Sequence, residues 1–202
     1  MAKVLAPEAW GRALQDVDVV VNCAGVLQDS ASEHTIEVHA LGAAALFRAC
    51  ERAGVRRVIH FSAIGVDREQ PFAFSASKHA GVVLRFSVVV GRPDFGASAL
   101  IRGLAALPVL PSMPGTGWLQ VVQLDDVVET VDFFLDEDTP SRTALDLAGP
   151  DAFTMEEVVA KYRGWLGWES ARVMALPGWA ARLWGRRQCA WMAPSHAYQC
   201  RP

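Results

Sequence analysis

Short runs of β-branched residues alternate along this chain with longer segments of helical periodicity. The first run, 17–23, is almost continuously apolar, which indicates a strand buried on both faces. Further strands are predicted at 55–62, 82–90, 121–122 and 144–147, and helices at 32–53, 73–81, 97–107, 125–135 and 154–166. Strands that alternate with helices predict an α/β fold built on a doubly wound parallel sheet, with helices on both of its faces.

Local signals mark several boundaries between these elements. Gly54 follows the first helix in the position that glycine favours at helix C-termini. Asp125 or Asp126 is expected to cap the fourth helix, and Thr154 the fifth. The segment 110–117 is rich in proline and glycine and predicts a loop.

Composition excludes several classes of function. Hydrophobic residues make up 51% of the chain and charged residues 20%, which is typical of a protein with a sizeable core. The net charge is -3 and basic residues are scattered, so no nucleic-acid partner is expected. No apolar run is long enough to predict a transmembrane helix. The four cysteines lack metal-ligand spacing, so no metal is expected, and a reducing cytoplasm fits them best.

Small and polar residues follow the predicted strands, where ligands of open α/β sheets bind. Asn22, Ala24 and Gly25 come after the first strand, and Ser62 ends the second. Lys78 lies on the short helix that follows. Each feature alone is equally consistent with an ordinary turn or a solvated side chain.

The order of these features resembles the short-chain dehydrogenase/reductase superfamily. The resemblance lies in the sequences Val-Val-Val-Asn-Cys-Ala-Gly at 19–25, His-Phe-Ser-Ala at 60–63, Ser-Lys at 77–78, Leu-Arg-Phe-Ser-Val-Val-Val-Gly at 84–91 and Asp-Asp-Val at 125–127. Within the superfamily the chain is similar to extended and atypical members, including the NAD-dependent epimerase/dehydratase group and the Rossmann-type accessory subunit of respiratory complex I. The resemblance spans roughly residues 5–167.

The resemblance implies a cofactor, NAD or NADP, and a role for each matching residue. Asn22, Ala24 and Gly25 would line the adenosine side of the dinucleotide. Ser62 and Lys78 would be the catalytic residues, and Lys78 would also bind the nicotinamide ribose. The segment containing Arg85, Ser87 and Val88 would pass near the carboxamide.

Three departures from the family pattern bear on activity. The sequence contains no glycine-rich turn of the kind that places a helix N-terminus against a pyrophosphate. Phe74 occupies the position of the family's catalytic tyrosine, four residues before Lys78, and phenylalanine has no exchangeable proton. The link from Lys78 to the third strand is also abrupt: residues 63–81 can just form a strand–helix–strand crossover, but their helix would cover less of the sheet than the long helix of the family.

The first strands of the family fold are therefore expected to be missing. Residues 1–167 would form an incomplete Rossmann-like domain, and 168–202 a tail without a recognisable pattern. The strand at 17–23 would become an unpaired apolar edge, a feature that invites association. We expect marginal stability unless a protein partner or a second copy of the chain covers this edge.

Three functional hypotheses follow. The first is a dinucleotide-binding protein with weak or no catalysis, acting as a structural or assembly subunit. The second is an active NAD(P)-dependent oxidoreductase or epimerase, in which Ser62 and Lys78 work with a water in place of the tyrosine. The third is a truncated product without activity. A cytoplasmic location is expected, with peripheral membrane association as the alternative.

Overall fold

The computed structural model describes residues 7–25, 37–64, 80–92, 97–112 and 117–175. The chain divides into two compact units, residues 1–86 with 125–147 and residues 87–124 with 148–202. The predicted domain boundary at residue 167 stays a prediction.

The secondary structure alternates as the sequence predicts. The helical elements are a 3-10 turn Pro7–Trp10, a π-helical turn Glu37–Gly42, α1 Ala43–Ala53, α2 Ala97–Ala105, α3 Leu124–Leu135 and α4 Met155–Trp165. The strands are β1 Val19–Asn22, β2 Arg57–Ala63, β3 Ala80–Phe86, β4 Val88–Val90, β5 Val109–Ser112, β6 Leu119–Gln123, β7 Thr143–Leu147, β8 Ala152–Phe153 and β9 Arg172–Ala175.

The first unit is built on a sheet of four parallel strands in the order β1-β2-β3-β7. Val58 and Ile59 are neighbours in β2 and therefore project to opposite faces. Val58 packs with Phe47 of α1, whereas Ile59 packs with Phe134 of α3. Helices thus cover both faces, and the prediction of a Rossmann-like parallel α/β sheet is confirmed. Within the described residues, β1 lies at an edge of this sheet, and Val21 on it is 38% exposed.

The end of α1 follows the predicted glycine signal. Gly54 has φ 73°, and the capping backbone N–H reaches the carbonyls of Cys50 and Glu51. Glycine adopts this left-handed conformation without the steric cost that a Cβ brings. Phe47 and Cys50, three residues apart, are both buried, so one stripe of the helix faces the sheet.

Because Cys50 is buried, the free energy of unfolding of the first unit should decrease at alkaline pH. Burial raises the pKa of this thiol from its ordinary value of 9.0 to about 11. Between these values the unfolded chain loses a proton that the folded chain keeps. The contribution of the Cys50 thiol to the free energy of unfolding is therefore complete below pH 9 and decreases as pH rises toward 11. Urea unfolding should show wild type losing stability relative to Cys50→Ala, on the order of 2 kcal/mol by about pH 11. Equal pH slopes for the two proteins would contradict this.

The second unit contains a three-stranded sheet in the order β4-β6-β8 and a parallel pair, β5 with β9. Its core packs α2 against α4 through residues such as Ile101 and Val159. Thr154 caps α4 in a full capping box with Glu157, as predicted. Arg163, also buried, donates to carbonyl groups at the end of α2 and just beyond it, which ties the two helices together.

Gly149, in the segment after β7, lies too close to β6 to carry a side chain. Its N–H donates to the Val121 carbonyl at 2.8 Å, and an added Cβ would lie 2.5 Å from that oxygen. Gly149→Ala should therefore destabilise the second unit by about 1–3 kcal/mol, measured by urea unfolding. Gly164→Ala is the matched control, because no atom lies within 4 Å of the Cβ position there. Since alanine favours helix, this variant should gain about 0.5–1 kcal/mol. Equal midpoints for the two variants would contradict the prediction.

Several predicted boundaries are wrong. The strand predicted at 82–90 is two strands that break at Ser87, because β3 pairs with β2 and β7 whereas β4 pairs with β6. Part of the loop predicted at 110–117 is the end of β5, which pairs with β9. Pro111 fits there because each strand of a two-stranded sheet is an edge strand, where proline is tolerated.

Two predicted helix limits also differ from the structure. The helix predicted at 73–81 ends too late, since Ala80 and Gly81 belong to β3; residues 73–79 lie outside the described part. Asp125 and Asp126 do not cap α3 but lie within its first turn, because the helix begins at Leu124. Carboxylates in a first helical turn stabilise the positive end of the helix dipole.

Candidate functional site

The carboxyl ends of β1, β2, β3 and β7 lie along one edge of the first unit's sheet, because all four strands are parallel. Polar or small residues occupy this edge. They are Asn22, Ala24 and Gly25 after or at the end of β1, Ser62 in β2, Arg85 in β3 and Asp146 in β7.

The strand register places five polar side chains on one face of the sheet. Ser62 is the direct partner of Arg85, and Arg85 that of Asp146. His60 lies two residues before Ser62 and is the direct partner of Asn22. Direct partners in parallel strands, and residues two apart in one strand, project to the same face. We call these five residues the polar row.

The polar row lies on the face of the sheet that α1 covers. Val58, two residues before His60, packs in the same cluster as Phe47 of α1. The ring of Phe47 also meets the His60 ring edge-on, with centroids 5.3 Å apart. At the carboxyl edge of the opposite face, Phe61 and Phe86 pack edge to face at 4.6 Å. Chemistry at this edge is therefore concentrated on the α1 face.

Asn22 closes the turn that leaves β1. Its side chain is buried, its Oδ1 accepts the N–H of Ala24 at 3.2 Å, and its Nδ2 lies 3.0 Å from Nδ1 of His60. The turn role considered from the sequence is thus observed. Contact of Asn22, Ala24 and Gly25 with an adenosine stays a prediction.

Beyond Asn22 the turn faces solvent. Cys23, Ala24 and Gly25 are all exposed. Although the Cys23 residue is exposed as a whole, partial desolvation raises the pKa of its thiol. A protonated thiol carries no charge to repel an anionic ligand, and the main chain of this turn is open to approach.

Arg85 and Asp146 form an ion pair across β3 and β7. Arg85 donates from Nε to a carboxylate oxygen of Asp146, and the two side chains are 30% and 55% exposed. Ser62, beside Arg85 in the register, is half-buried. The sequence alone predicts only that Asp146 lies in a strand, because nothing local indicates which residue lies opposite Arg85.

The remaining predicted site residues lie in the second unit or outside the described part of the chain. Ser87 and Val88 belong to the second unit, where Val88 pairs with Val121. The Ser87 hydroxyl is buried and has no hydrogen-bond partner among the described residues. Lys78 lies outside the described residues, as does Phe74. The cofactor role of Ser87 and Val88 and the catalytic role of Lys78 stay predictions.

Two kinds of feature are absent from the described part of the chain. Histidine, cysteine, aspartate and glutamate side chains form no group there that could hold a metal ion. No helix in the described ranges combines the length and apolar character needed to cross a membrane.

Comparison with known proteins supports the fold and the cofactor class. Residues 1–86 match the model of a family described as NAD(P)H-binding. No protein of curated function matches the sequence. Among solved structures, the Bordetella bronchiseptica enzyme WbmG in complex with NAD and UDP has a TM-score of 0.63 at 19% identity, over 86% of this chain and 66% of WbmG.

Other solved structures share the same architecture. UDP-N-acetylglucosamine 4-epimerase from Bacillus cereus has a TM-score of 0.65 at 18% identity, over 85% of this chain and 70% of the epimerase. MoeE5 in complex with UDP-glucuronic acid and NAD has a TM-score of 0.61 at 20% identity, over 92% of this chain and 76% of MoeE5. The chain thus spans about two thirds to three quarters of the length of these proteins.

These findings confirm the resemblance inferred from the sequence. The chain has the Rossmann-like fold of these solved structures, which include an epimerase and an enzyme in complex with NAD. The match to an NAD(P)H-binding family covers residues 1–86, a segment that contains the turn after β1, Ser62 and Arg85. The expected cofactor, NAD or NADP, agrees with that match.

Proposed function

We propose that this chain binds NAD or NADP at the carboxyl edge of the first unit's sheet, with weak or no catalytic turnover. The observation that carries the proposal is the polar row beside an exposed turn at this edge. Open α/β sheets bind their ligands beyond the carboxyl ends of the strands. The NAD(P)H-binding family match covers the same segment of the chain.

The described residues suit the two ends of a dinucleotide, with the turn after β1 on the adenosine side and Ser62 on the nicotinamide side. Ala24 and Gly25 offer exposed main chain, and glycine allows a ligand to approach the backbone closely. Ser62 offers a hydroxyl at a strand end. Asn22 would act through the turn rather than by direct contact, because its amide already bonds Ala24 and His60.

Weak catalysis follows from the residue at position 74. A bound nicotinamide supplies hydride exchange, but the family's reactions also need a proton donor or acceptor beside it. Phe74 has no such proton, and positioned acid–base groups contribute roughly 10²–10⁴-fold to rate. Ser62 and Lys78 can still orient a carbonyl or hydroxyl, so we propose binding and positioning with little turnover, in keeping with a structural or assembly role.

An active NAD(P)-dependent epimerase or oxidoreductase is the second candidate. It is favoured by the placement of Ser62 on the same face as Arg85 and Asp146, with Arg85 directly beside the serine in the register. Solved structures with this fold were determined with NAD and with UDP-sugars. In this alternative a water relays the proton that a tyrosine would carry.

Calorimetric titration of the full chain with NADH and with NADPH tests the proposal. We expect saturable heat with at least one cofactor, and no oxidation or reduction of the nicotinamide when UDP-sugars or carbonyl compounds are added. Absence of binding by both cofactors contradicts the proposal. Hydride transfer that disappears in Lys78→Ala would instead establish the second candidate.

The exposed edge of the sheet gives the assembly role a physical basis. Val21 on β1 is partly exposed, and within the described residues no strand pairs with the outer side of β1. An unpaired apolar edge favours pairing with another chain. We propose that a protein partner or a second copy covers it; sedimentation of the pure chain at monomer mass would exclude the second copy.

A further inference from the structure

His60 is a buried polar residue in an otherwise apolar stretch of β2. Only 4% of it is exposed, and its strand neighbours Ile59 and Phe61 belong to a hydrophobic cluster on the opposite face. A polar side chain in such a place is costly unless it is hydrogen-bonded. The hydrogen bond between His60 and Asn22 therefore contributes to holding this part of the structure in place.

The hydrogen-bond partners of Asn22 determine which nitrogen of the His60 ring carries the proton. The N–H of Ala24 can only donate, so the Asn22 atom that faces it is the carbonyl oxygen, Oδ1, at 3.2 Å. The amide nitrogen Nδ2 must then face His60, 3.0 Å from Nδ1. An amide nitrogen donates, so Nδ1 accepts and the ring proton lies on Nε2.

The ring is also held from the helix side. Phe47 of α1 packs against it at 5.3 Å with an interplanar angle of 82°. Edge-to-face packing of this kind favours one ring orientation. A chain of contacts therefore runs from α1 through His60 and Asn22 to the N–H of Ala24.

We propose that His60 is a positioning residue for the dinucleotide site. By accepting from Asn22 it holds the amide oxygen toward Ala24, and this fixes the turn whose exposed residues, Cys23 to Gly25, would contact the cofactor. His60 itself does not touch the cofactor. This inference rests on the proposed function for its effect on affinity, and on the geometry alone for its effect on the turn.

Dinucleotide affinity tests the first part through a double-mutant cycle. His60→Leu removes the acceptor, and Asn22→Ala removes the amide. Each should raise the Kd for the bound cofactor about tenfold, the cost of one buried hydrogen bond. The double variant should be no weaker than Asn22→Ala, because both act through one turn. If the increases in Kd of the two single variants multiply in the double variant, the proposal is overturned.

A conservative variant separates positioning from general packing. In His60→Asn the side-chain oxygen can occupy the place of Nδ1 and accept from Asn22, so its Kd should return close to the wild-type value. A role limited to filling the core would be rescued by leucine better than by asparagine. A wild-type Kd in His60→Leu but not in His60→Asn would overturn the proposal. If His60→Leu does not fold, the Kd of His60→Asn decides by itself.

The rate of amide hydrogen exchange at Ala24 measures how firmly the turn is held, and it needs no cofactor. Its protection should fall in His60→Leu and Asn22→Ala and persist in His60→Asn. Unchanged protection in His60→Leu overturns the positioning role. If wild type binds no dinucleotide, the proposed function fails, and the exchange pattern still decides whether His60 holds the turn.

Discussion

Replacing Arg57 with methionine should lower the free energy of unfolding of the first unit by about 3–5 kcal/mol, because hydrogen bonds to a charged group contribute about 1.5–3 kcal/mol each. Arg57 is 3% exposed at the start of β2. Its guanidinium donates to the carbonyls of Phe134, Asp136, Glu137 and Thr139 and to the Thr139 hydroxyl. It therefore binds the C-terminal end of α3 and the turn that follows.

The large cost comes from the acceptors that methionine would leave behind. The bond to the Phe134 carbonyl is fully buried, and a buried carbonyl without a donor costs about 1–3 kcal/mol. The other four bonds are partly buried, so water can replace part of what Arg57 donates there. The C-terminus of a helix additionally favours a cation. The positive charge is balanced by these oxygens, since the five bonds described for Arg57 include no carboxylate. Lysine is a poor substitute because a point charge cannot reach the forked set of acceptors, so Arg57→Lys should lie between methionine and wild type.

Urea unfolding followed by circular dichroism measures the effect. Arg52→Met is the matched control: Arg52 pairs with Glu8 at 3.0 Å, but both side chains are largely exposed, at 65% and 72%. Exposed pairs contribute little, so this variant should unfold with the wild-type midpoint. A loss in Arg57→Met no larger than in Arg52→Met would show that the buried bonds do not stabilise the unit.

The parallel character of the sheet could be predicted from the sequence because the alternation of strands and helices is a local signal. β-branched runs separated by helical periods indicate parallel neighbours, and β1, β2 and β3 follow one another in the sheet as they do in the chain. The helix ends at Gly54 and Thr154 were equally predictable, since capping chemistry acts within a few residues.

Features that depend on distant partners could not be predicted. The run 82–90 is uniformly strand-forming, and only the separate partners of β3 and β4 divide it. The pairing of β5 with β9 joins segments about sixty residues apart in the chain, and proline signals had indicated a loop. Arg57 gave no local signal of burial, because its acceptors lie 77–82 residues further along the chain.

The same distinction applies to the candidate site. Gly25 and Ser62 could be predicted to lie at the carboxyl edge because strand ends are visible in the sequence. His60 and Asp146 were missed because their importance depends on register, which places them opposite Asn22 and Arg85. A histidine inside an apolar run was the one available signal, since a buried polar group needs a partner.

Replacing Gly25 with leucine should weaken dinucleotide binding without destabilising the fold. Gly25 is exposed at the carboxyl end of β1, in the turn that would face the cofactor. A side chain there would enter the space of the ligand, and steric crowding of about 1–3 kcal/mol corresponds to a Kd about 5- to 150-fold higher. Calorimetric titration with the cofactor that binds wild type measures the change.

The control for this variant is Gly11→Leu. Gly11 is also exposed in the first unit, and an added Cβ would meet only the Glu8 carbonyl at 3.6 Å, an ordinary contact. Its Kd should equal that of wild type. If the turn after β1 contacts the cofactor, affinity should fall from alanine to valine to leucine at position 25 while the urea midpoint stays constant. If affinity and midpoint fall together, the turn acts on the fold alone, and the proposed binding edge is wrong.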